Sequence, residues 1–292
     1  MTTYCKWESI GLIKSKLTER QQQKLRGMCF WHFLDVNEIS FTSQFCHHIR
    51  ECHVEDAENE MWFLIGGNKI RFSANEFCLV SSLRLGHIVI PTTNPEKDDA
   101  DRIRQKYFKR AKKVTGIKLQ SLFEHGLEEE NDDDDDDVIK LALLLILEMT
   151  LLGKDLRTKV EYWAMKLVDN LEEFNRFSWG SYVYSRTFNS LSTCFKGRDQ
   201  RFMTKTKKDP SHTAEKINLY GFVYAFQVWA IEVIPLYSKL NYASRVSRTA
   251  PRILNWEVKM TPGYEALRTE IFIRRKISTF ETLKPTDEEL NL

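Results

Sequence analysis

The clearest alternation of apolar and polar positions lies between residues 61 and 86. The apolar run MWFLI leads into Gly-Gly-Asn at 66–68, and the chain continues as KIRF. In KIRF, Ile70 and Phe72 share one face of a strand while the two basic residues share the other. Glycine and asparagine accept positive φ at little cost, so this pattern predicts a β-hairpin.

A helix is predicted directly after the hairpin. Residues 73–76, Ser-Ala-Asn-Glu, have the form of a capping box, and Gly86 is placed to end the helix. Apolar residues follow the box at helical spacing, at Phe77, Val80 and Leu83. Near the N-terminus, residues 18–21 form a second capping box, which predicts a short helix that stops at Gly27.

The second half of the chain is mostly helical in pattern. Its most apolar run, VIKLALLLILEMTLL (138–152), is short for a membrane span and carries a lysine and a glutamate, so we predict a buried core helix. The alternation in EIFIRRKISTF (270–280) predicts one or two strands. Apolar stripes with steps of three or four residues predict further helices within 156–174, from Ser178 or Ser181 onwards, and within 218–235.

Residues 92–137 differ in character from both flanks. The run RIRQKYFKRAKKVTGIK (102–118) carries eight basic side chains and no acidic one, and EEENDDDDDD (128–137) carries nine acids. Blocks of like charge repel themselves and rarely join a core, so we predict a mainly mobile insertion whose middle is transiently helical. Its acidic half could fold back on the basic half, which would weaken binding to polyanions.

These elements predict an α+β fold that is mainly α-helical. It has a small β-hairpin packed on helices, an acidic and basic disordered insertion, and a helical second half. We divide the chain into residues 1–91, the insertion 92–137, a helical remainder 138–260 and a C-terminal extension 261–292. Neither half has an obvious complete apolar core alone, so we expect one cooperative domain.

The composition indicates a folded protein that stays inside the cell. Of the 292 residues, 42% are hydrophobic, which is ample for a core. The six cysteines lack framework spacing, and the first residues lack the apolar segment of a secretory signal. We therefore expect free thiols in a reducing compartment. The net charge of +2 indicates no partner, and only its distribution along the chain is informative.

A series of blocks in a fixed order resembles a known family. It begins with CFWHFLDV and the hairpin with its helix, and it continues through KLALLLILEMTLLG, LVDNLEEFNRFSWGSYVY and INLYGFVYAFQVWAIEVIP. This order, over residues 20–260, is similar to the plant domain of unknown function DUF1985. The residues that carry the resemblance are Trp62, Gly67, Phe72, Glu76, Phe77, Gly86, Asp169, Phe174, Trp179, Gly180, Gly221, Phe222, Trp229, Glu232 and Pro235.

The resemblance implies a nuclear plant protein of transposon origin. Modules of this family often lie upstream of Ulp-type cysteine protease domains, whose site needs a histidine, an aspartate, a glutamine and a cysteine. Cys194, in SLSTCFKG, lacks the glutamine and the flanking pattern of such a site, so the protease is expected to be absent. The resemblance brings no catalytic, cofactor-binding or metal-binding residue.

Cysteines and histidines concentrate in SQFCHHIRECHV (43–54). Apolar side chains at helical spacing share a stripe with Cys52, which indicates an amphipathic helix in which cysteine acts as a small hydrophobe. The alternative is a zinc site, with His48 and Cys52 as two ligands and Cys29 and His32 as two more. No C-x-x-C pair accompanies them, so we predict a helix without metal.

Two basic zones are candidates for contact with polyanions. The first lies within 102–118, where KRAKK could act as a nuclear import signal or contact phosphates. The alternative is that these residues form a solvated face of a loop. If the first zone and the second zone described below lay on one face of the protein, nucleic-acid binding would be favoured. The KRAKK residues concerned are Lys109, Arg110, Lys112 and Lys113. The second zone, within 205–252, comprises Lys205, Lys207, Lys208, Arg245, Arg248 and Arg252.

Glu232 lies among apolar neighbours in VWAIEVIP. A buried carboxylate needs a cationic or hydrogen-bonding partner, so we predict an ion pair with an arginine of 245–252. A catalytic acid is the alternative, but no second carboxylate or histidine lies at useful spacing. The same interpretation applies to Asp169. We interpret Trp179-Gly180 as a packing corner, although an exposed tryptophan could stack a base.

Three classes of function follow from these patterns. The first is a non-enzymatic module that recognises another protein, which an exposed apolar patch would favour. The second is nucleic-acid binding through the two basic zones, which a continuous basic face would favour. The third is an unrecognised enzyme, which a deep cleft joining Glu232 to a histidine would favour. We expect the first, with a protein as partner, DNA or RNA as the alternative, no membrane and no cofactor.

Overall fold

Helices make up most of the chain. The computed structural model describes residues 1–36, 39–93, 102–109, 111–125, 135–198, 204–205, 207 and 216–291. The α-helices, numbered in chain order, are α1 (Glu8–Lys16), α2 (Glu19–Arg26), α3 (Ser43–Glu51), α4 (Ala74–Ser81), α5 (Arg102–Phe108), α6 (Gly116–His125), α7 (Asp135–Leu145), α8 (Tyr162–Val168), α9 (Leu171–Arg176), α10 (Trp179–Thr193), α11 (Val223–Val233), α12 (Pro235–Lys239) and α13 (Tyr264–Leu267).

The strands form small separate sheets. Strands β2, β3 and β4 make an antiparallel sheet with β3 at its centre, β1 pairs with β5 in parallel, and β6 pairs with β7 in antiparallel orientation. The predicted α+β fold, mainly α-helical, is confirmed. The strands are β1 (Thr2–Thr3), β2 (His53–Ala57), β3 (Glu60–Ile65), β4 (Asn68–Phe72), β5 (Asn218–Leu219), β6 (Ala243–Arg245) and β7 (Trp256–Val258).

The predicted hairpin is strands β3 and β4. Gly66 and Gly67 form its turn with φ of 57° and 81°, the left-handed region in which glycine is not strained. The strand β2 was not predicted, because its sequence His-Val-Glu-Asp-Ala has little alternation and it forms by pairing with β3. The buried face of the sheet packs on α11, where Phe72 lies 5.0 Å from Trp229 between ring centroids.

The predicted capping boxes at both helix starts are confirmed. The Ser73 backbone N–H donates to Glu76 Oε2 at 2.9 Å, and Thr18 and Gln21 make the equivalent pair at α2. The end of α4 was predicted wrongly, since the helix stops at Ser81 rather than running to Gly86. Ser82 adopts a left-handed φ of 47°, and the turn carries Leu83 into the core.

The apolar run 138–152 is a buried core helix, as predicted. Helix α7 continues into a π-helical stretch, Ile146–Leu151, and every residue of that stretch is buried. Among the described residues, no helix is both long and apolar enough to cross a membrane. Helices α2, α6 and α8 pack around α7.

Part of the segment predicted as a mobile insertion is folded. Helices α5 and α6 lie within it. Residues 111–115 between them connect to the stretch before α8, where the Val160 N–H donates to the Val114 carbonyl at 2.9 Å. The helical middle was predicted, but its burial was not, because the charge pattern hid the apolar side chains Ile103, Phe108, Leu119 and Phe123. The acidic residues 128–134 lie outside the described residues.

The prediction of strands within 270–280 is wrong. Residues Arg268–Phe272 continue α13 as a π-helical turn, because Leu267 and Ile271, four residues apart, are buried on one helical face. Phe272 packs against His48 of α3, with ring centroids 4.8 Å apart. The chain then crosses the edge of β4, where the Arg71 N–H donates to the Glu281 carbonyl at 2.8 Å.

Candidate interaction cleft

A cleft of about 870 Å³ lies beside α4. One wall is α4 with the loop 82–85 that follows it, and the other is the C-terminal segment, with Leu283, Pro285, Glu289 and Leu290. Arg71 and Asn175 complete the lining. We name this feature the α4 cleft.

Leucines supply the apolar lining of the α4 cleft. Leu83 and Leu283 are buried, whereas Leu85 is 46% exposed and Leu290 is 68% exposed. The two exposed leucines come from opposite walls. A concave surface that keeps large apolar side chains in water is typical of a binding site, since covering them would be favourable.

Most charges in the cleft are already paired. Arg71 Nη2 lies 3.1 Å from Glu76 Oε1, and its Nη1 lies 3.2 Å from Glu60. Glu76 is buried and also accepts from the Ser73 N–H, so this carboxylate serves the fold. Arg84, by contrast, is exposed on the cleft wall and has no acidic partner in the part of the chain that the structure describes.

Arg252 holds the C-terminal wall in place. Its Nε and Nη2 donate to the Glu289 carboxylate at 2.6 Å and 2.7 Å, and Nη2 also donates to the Lys284 carbonyl at 2.6 Å. These hydrogen bonds raise the pKa of Arg252. Burial opposes ionisation of Glu289, but the hydrogen bonds from Arg252 hold the pKa of that carboxyl below its usual value.

The predicted ion pair of Glu232 is confirmed. Arg245 Nη2 lies 2.5 Å from Glu232 Oε1, and Arg252 Nη1 lies 3.6 Å from Oε2. The Trp256 indole N–H donates to the same carboxylate at 2.7 Å. No histidine is among the partners of Glu232 in the described chain. Its carboxylate pairs with two arginines that join α11 to β6 and to the residues after it.

Asp169 has a similar structural role at the start of α5. Its carboxylate accepts from the backbone N–H of Arg102 at 3.0 Å and of Ile103 at 3.4 Å. Lys140 of α7 lies 3.8 Å away. Burial raises the pKa of Asp169, and these donors act in the opposite direction. The residue therefore connects α8, α5 and α7.

The first basic zone divides into a packed part and an exposed part. In α5, Arg102 and Lys106 pair with Asp137, the last residue of the acidic run, which is buried and also accepts from Tyr107 at 3.0 Å. The predicted return of an acidic residue onto the basic half is confirmed at this position. Arg104 packs over the ring of Tyr162, at 4.3 Å from its centroid.

The KRAKK residues lie beyond this packed part. Lys109, Lys112 and Lys113 are exposed and have no acidic partner among the residues that the structure describes. Arg110 lies outside the described residues. The exposed lysines follow α5 directly, so a short stretch of chain presents several unpaired cations.

The second basic zone is not a continuous cationic surface. Arg245 forms an ion pair with Glu232, and Arg252 forms one with Glu289. Arg248, Lys205 and Lys207 are exposed, and Lys208 lies outside the described residues. Sequence reasoning missed another group, the exposed triplet Arg274, Arg275 and Lys276. These three basic residues are consecutive in the sequence, which is a signal that could have identified them. The strand prediction for this segment was based on the apolar residues around them.

The cysteine- and histidine-rich stretch is helix α3 with the first strand residues. Phe45 and Ile49 are buried, which confirms the amphipathic helix, and Cys52 follows its end. His48 lies between the rings of Tyr264 and Phe272, and its Nε2 is 2.9 Å from the Tyr264 carbonyl oxygen. In the described ranges, no three His, Cys, Asp or Glu side chains are grouped to hold a metal.

The Trp179-Gly180 pair is a packing corner behind the cleft. The Gly180 N–H donates to the Arg84 carbonyl at 2.8 Å, and an added Cβ would lie 2.6 Å from the Leu83 carbonyl oxygen. Trp179 is buried and donates to the Phe174 carbonyl at 2.7 Å. The close contact at Gly180 packs α10 against the loop after α4, and this packing positions Arg84 and Leu85.

Comparison with known proteins identifies one family. A family model described as Domain of unknown function (DUF1985) matches residues 49–190, from the end of α3 to α10. The matched range contains the α4 wall of the cleft but not its C-terminal wall. No curated protein and no solved structure matches the chain. Residues 49–190 of this chain are therefore similar to the DUF1985 family, which supports the resemblance noted in the sequence.

Proposed function

We propose that this chain is a non-enzymatic protein-interaction module that binds a partner polypeptide in the α4 cleft. The observation that carries the proposal is the pair of exposed leucines, Leu85 and Leu290, on opposite walls of one concave surface. Arg84 adds an unpaired cation on the same wall as Leu85. The partner would place an apolar side chain between the leucines and a carboxylate against Arg84.

Physical chemistry supports this arrangement as a binding site. Burying one leucine-sized side chain contributes about 1.5–3 kcal/mol, and a few such anchors dominate the affinity of most interfaces. A carboxylate beside Arg84 would add specificity and a faster association rate more than affinity. Glu232 and Asp169 are occupied by structural partners, which supports a role without catalysis.

Family resemblance suggests where such a module acts. In DUF1985 proteins the module accompanies Ulp-type protease domains of transposon origin in plants, and we propose the same origin for this chain. On this view the module would position a protease or transposition machinery. The cleft would then be the contact that recruits it.

The α4 cleft is tested by retention of plant nuclear proteins on immobilised wild type and variants. Leu85→Asp and Arg84→Glu should each lose a protein that the wild type retains. Val246→Asp is the matched control, since Val246 is 48% exposed and does not line the cleft, and it should retain the same protein. The retained protein is then purified and titrated against all four forms. Equal retention by all forms, or by none, would contradict the proposal.

A second candidate function is polyanion binding and nuclear import through the exposed KRAKK lysines. Lys112 and Lys113 support it, because both are exposed without an acidic partner in the described ranges. Anisotropy of a labelled DNA duplex at two salt concentrations tests it, and the log–log salt slope should fall by about one per lost phosphate contact in Lys112→Glu/Lys113→Glu.

The alternative cationic group provides the matched comparison. Arg274→Glu/Arg275→Glu changes the net charge by the same amount at another surface, so loss of binding in that variant alone would assign the contact to the C-terminal triplet. Absence of binding to duplex, single strand and RNA at low salt would exclude the polyanion function. For import, a fluorescent fusion of the wild type should be nuclear and the Lys112→Glu/Lys113→Glu fusion should not.

A further inference from the structure

The short segment at residues 87–90, His-Ile-Val-Ile, has unused backbone hydrogen-bonding groups. Just before it, Gly86 is fully engaged, since its N–H donates to Ser181 Oγ at 3.0 Å and its carbonyl accepts from the same hydroxyl at 2.7 Å. From His87 to Thr93, the backbone makes no hydrogen bond to the described part of the chain. Exposed, unpaired backbone of this kind is a template for strand pairing.

The side chains of this segment are apolar and exposed. Val89 is 67% exposed and Ile90 is 50% exposed, while Ile88 is half-buried beside Phe188 in a groove against α10. Valine and isoleucine are β-branched and favour strands. The segment thus combines the two properties of an unpaired edge strand, free backbone groups and apolar side chains in water.

The lack of charged side chains within the segment restricts the kind of strand that can pair with it. Residues 85–93 contain no acidic or basic side chain other than His87. A partner strand rich in charge would find no counter-ion within this segment, so the best match is an equally short, uncharged apolar strand. Residues 87–90 of a second copy have these properties, and an Ile-Val-Ile sequence is self-complementary in an antiparallel pair about a two-fold axis.

We propose that residues 88–90 form a two-fold antiparallel strand pair with the same residues of a second copy. Pro91 has no N–H and would lie opposite His87, and Gly86 is already bonded, so the pairing is limited to these three residues. Val89 lies near the axis, with Ile88 of one chain opposite Ile90 of the other. This site is separate from partner binding in the α4 cleft and does not depend on it.

Sedimentation equilibrium of the full chain over a concentration series tests the pairing. The wild type should pass from the mass of one chain to the mass of two as concentration rises. Val89→Lys should remain at the mass of one chain, because two like charges would face each other at the axis. An equimolar mixture of Val89→Lys and Val89→Glu should return to the mass of two.

Proline variants separate strand pairing from simple apolar contact. Alternate N–H groups of a strand point to its partner, so at least one of Val89→Pro and Ile90→Pro must abolish the dimer. Ile273→Lys, which charges another exposed apolar position, should dimerise as the wild type does. Circular dichroism of each variant verifies that it is folded.

Three results would overturn the proposal. One is a wild type that stays at the mass of one chain at every concentration. Another is a dimer that Val89→Lys leaves unchanged, which would assign the contact to a different surface. The last is a dimer that Val89→Lys dissociates but both proline variants retain, which would show apolar contact without strand pairing.

Discussion

Arg252 donates two hydrogen bonds to Glu289, at 2.6 Å from Nε and 2.7 Å from Nη2. The same guanidinium lies 3.6 Å from Glu232 of α11 through Nη1. One side chain therefore connects a core helix to the C-terminal wall of the α4 cleft. The shape of the cleft depends on this connection, because Leu283 and Leu290 flank the residues that Arg252 holds.

Removing the Arg252 side chain should destabilise the protein strongly. Arg252→Ala leaves Glu289 and Glu232 without their shared cation in a largely buried position, and breaking such a pair costs about 3 kcal/mol. Urea denaturation followed by circular dichroism measures the change. Arg248→Ala removes an exposed arginine four residues away and should change the free energy of unfolding by less than about 0.5 kcal/mol. Equal effects of the two substitutions would contradict the role of Arg252.

Two glycine-to-alanine substitutions should change the free energy of unfolding in opposite directions. In Gly180→Ala, the new Cβ would lie 2.5 Å from Cys78 Sγ and 2.6 Å from the Leu83 carbonyl oxygen. The backbone must shift, so we expect a loss of about 1–3 kcal/mol in thermal or urea unfolding. Gly11 lies within α1 with nothing near its Cβ position, and Gly11→Ala should stabilise by about 0.5–1 kcal/mol. Stabilisation by both would refute the close packing of α10 on the loop.

Stability should fall as the pH drops below neutrality because of His32. Burial lowers the pKa of His32 to about 4, against an ordinary value of 6.5, and a hydrogen bond with the Ser81 backbone opposes this. The unfolded chain therefore binds a proton first, and the stability that His32 provides at neutral pH is lost as the pH falls from 6.5 towards 4.

Comparing the wild type with His32→Gln isolates the contribution of His32 to the pH dependence of the unfolding free energy. Between pH 7 and pH 5, we expect the wild type to lose about 2 kcal/mol more of its unfolding free energy than His32→Gln does. His125→Gln is the control, since that side chain is 78% exposed, and its pH dependence should match that of the wild type. If His32→Gln showed the same pH dependence as the wild type, the burial of a neutral imidazole would be refuted.

The two adjacent aspartates at the start of α7, Asp136 and Asp137, should contribute differently to the free energy of unfolding. Asp137 is buried and accepts from Arg102, Lys106 and Tyr107, so Asp137→Asn should cost about 1–3 kcal/mol by leaving these donors poorly matched. Asp136 pairs with Lys24 and its side chain is 56% exposed, so Asp136→Asn should cost less than about 1 kcal/mol.

Both aspartate variants change the net charge equally, so urea denaturation compares them directly. The larger loss is expected in Asp137→Asn, together with increased salt-dependent binding of a labelled DNA duplex if α5 loosens and releases its cations. A smaller loss in Asp137→Asn than in Asp136→Asn would contradict the anchoring of α5 by Asp137.

Local elements could be predicted wherever the pattern and the capping residues agreed. The hairpin at β3 and β4, the capping box of α4 and the buried helix α7 depend on neighbours within a few residues, and the structure contains all of them. The interaction of Glu232 with Arg245 and Arg252 could also be anticipated, because a carboxylate among apolar residues needs a cation nearby. Strand β2 could not, because its own sequence has little alternation and it forms by pairing with β3. The helical turn at Arg268–Phe272 could not either, because Phe272 packs against His48 of the distant helix α3.

The charged segment 92–137 shows why a run of like charges is a poor predictor of a mobile, solvated segment. A run of basic residues predicts a solvated segment only if nothing neutralises it. Here Asp137 and Asp169 neutralise part of the run, and Ile103 and Phe108 supply the apolar contacts that attach α5 to the core. Lys112 and Lys113 have no such partner in the described ranges and remain exposed.

The sequence by itself determined many of the local elements, the fold class and the resemblance to the DUF1985 family, because periodicity, capping and the order of apolar blocks are properties of the chain. Only the tertiary structure decided the binding surfaces. The α4 cleft is lined by both Leu85 and Leu290, and its C-terminal wall depends on Arg252 holding Glu289. Contacts between residues so far apart are set by the packing of whole helices, and no local pattern encodes them.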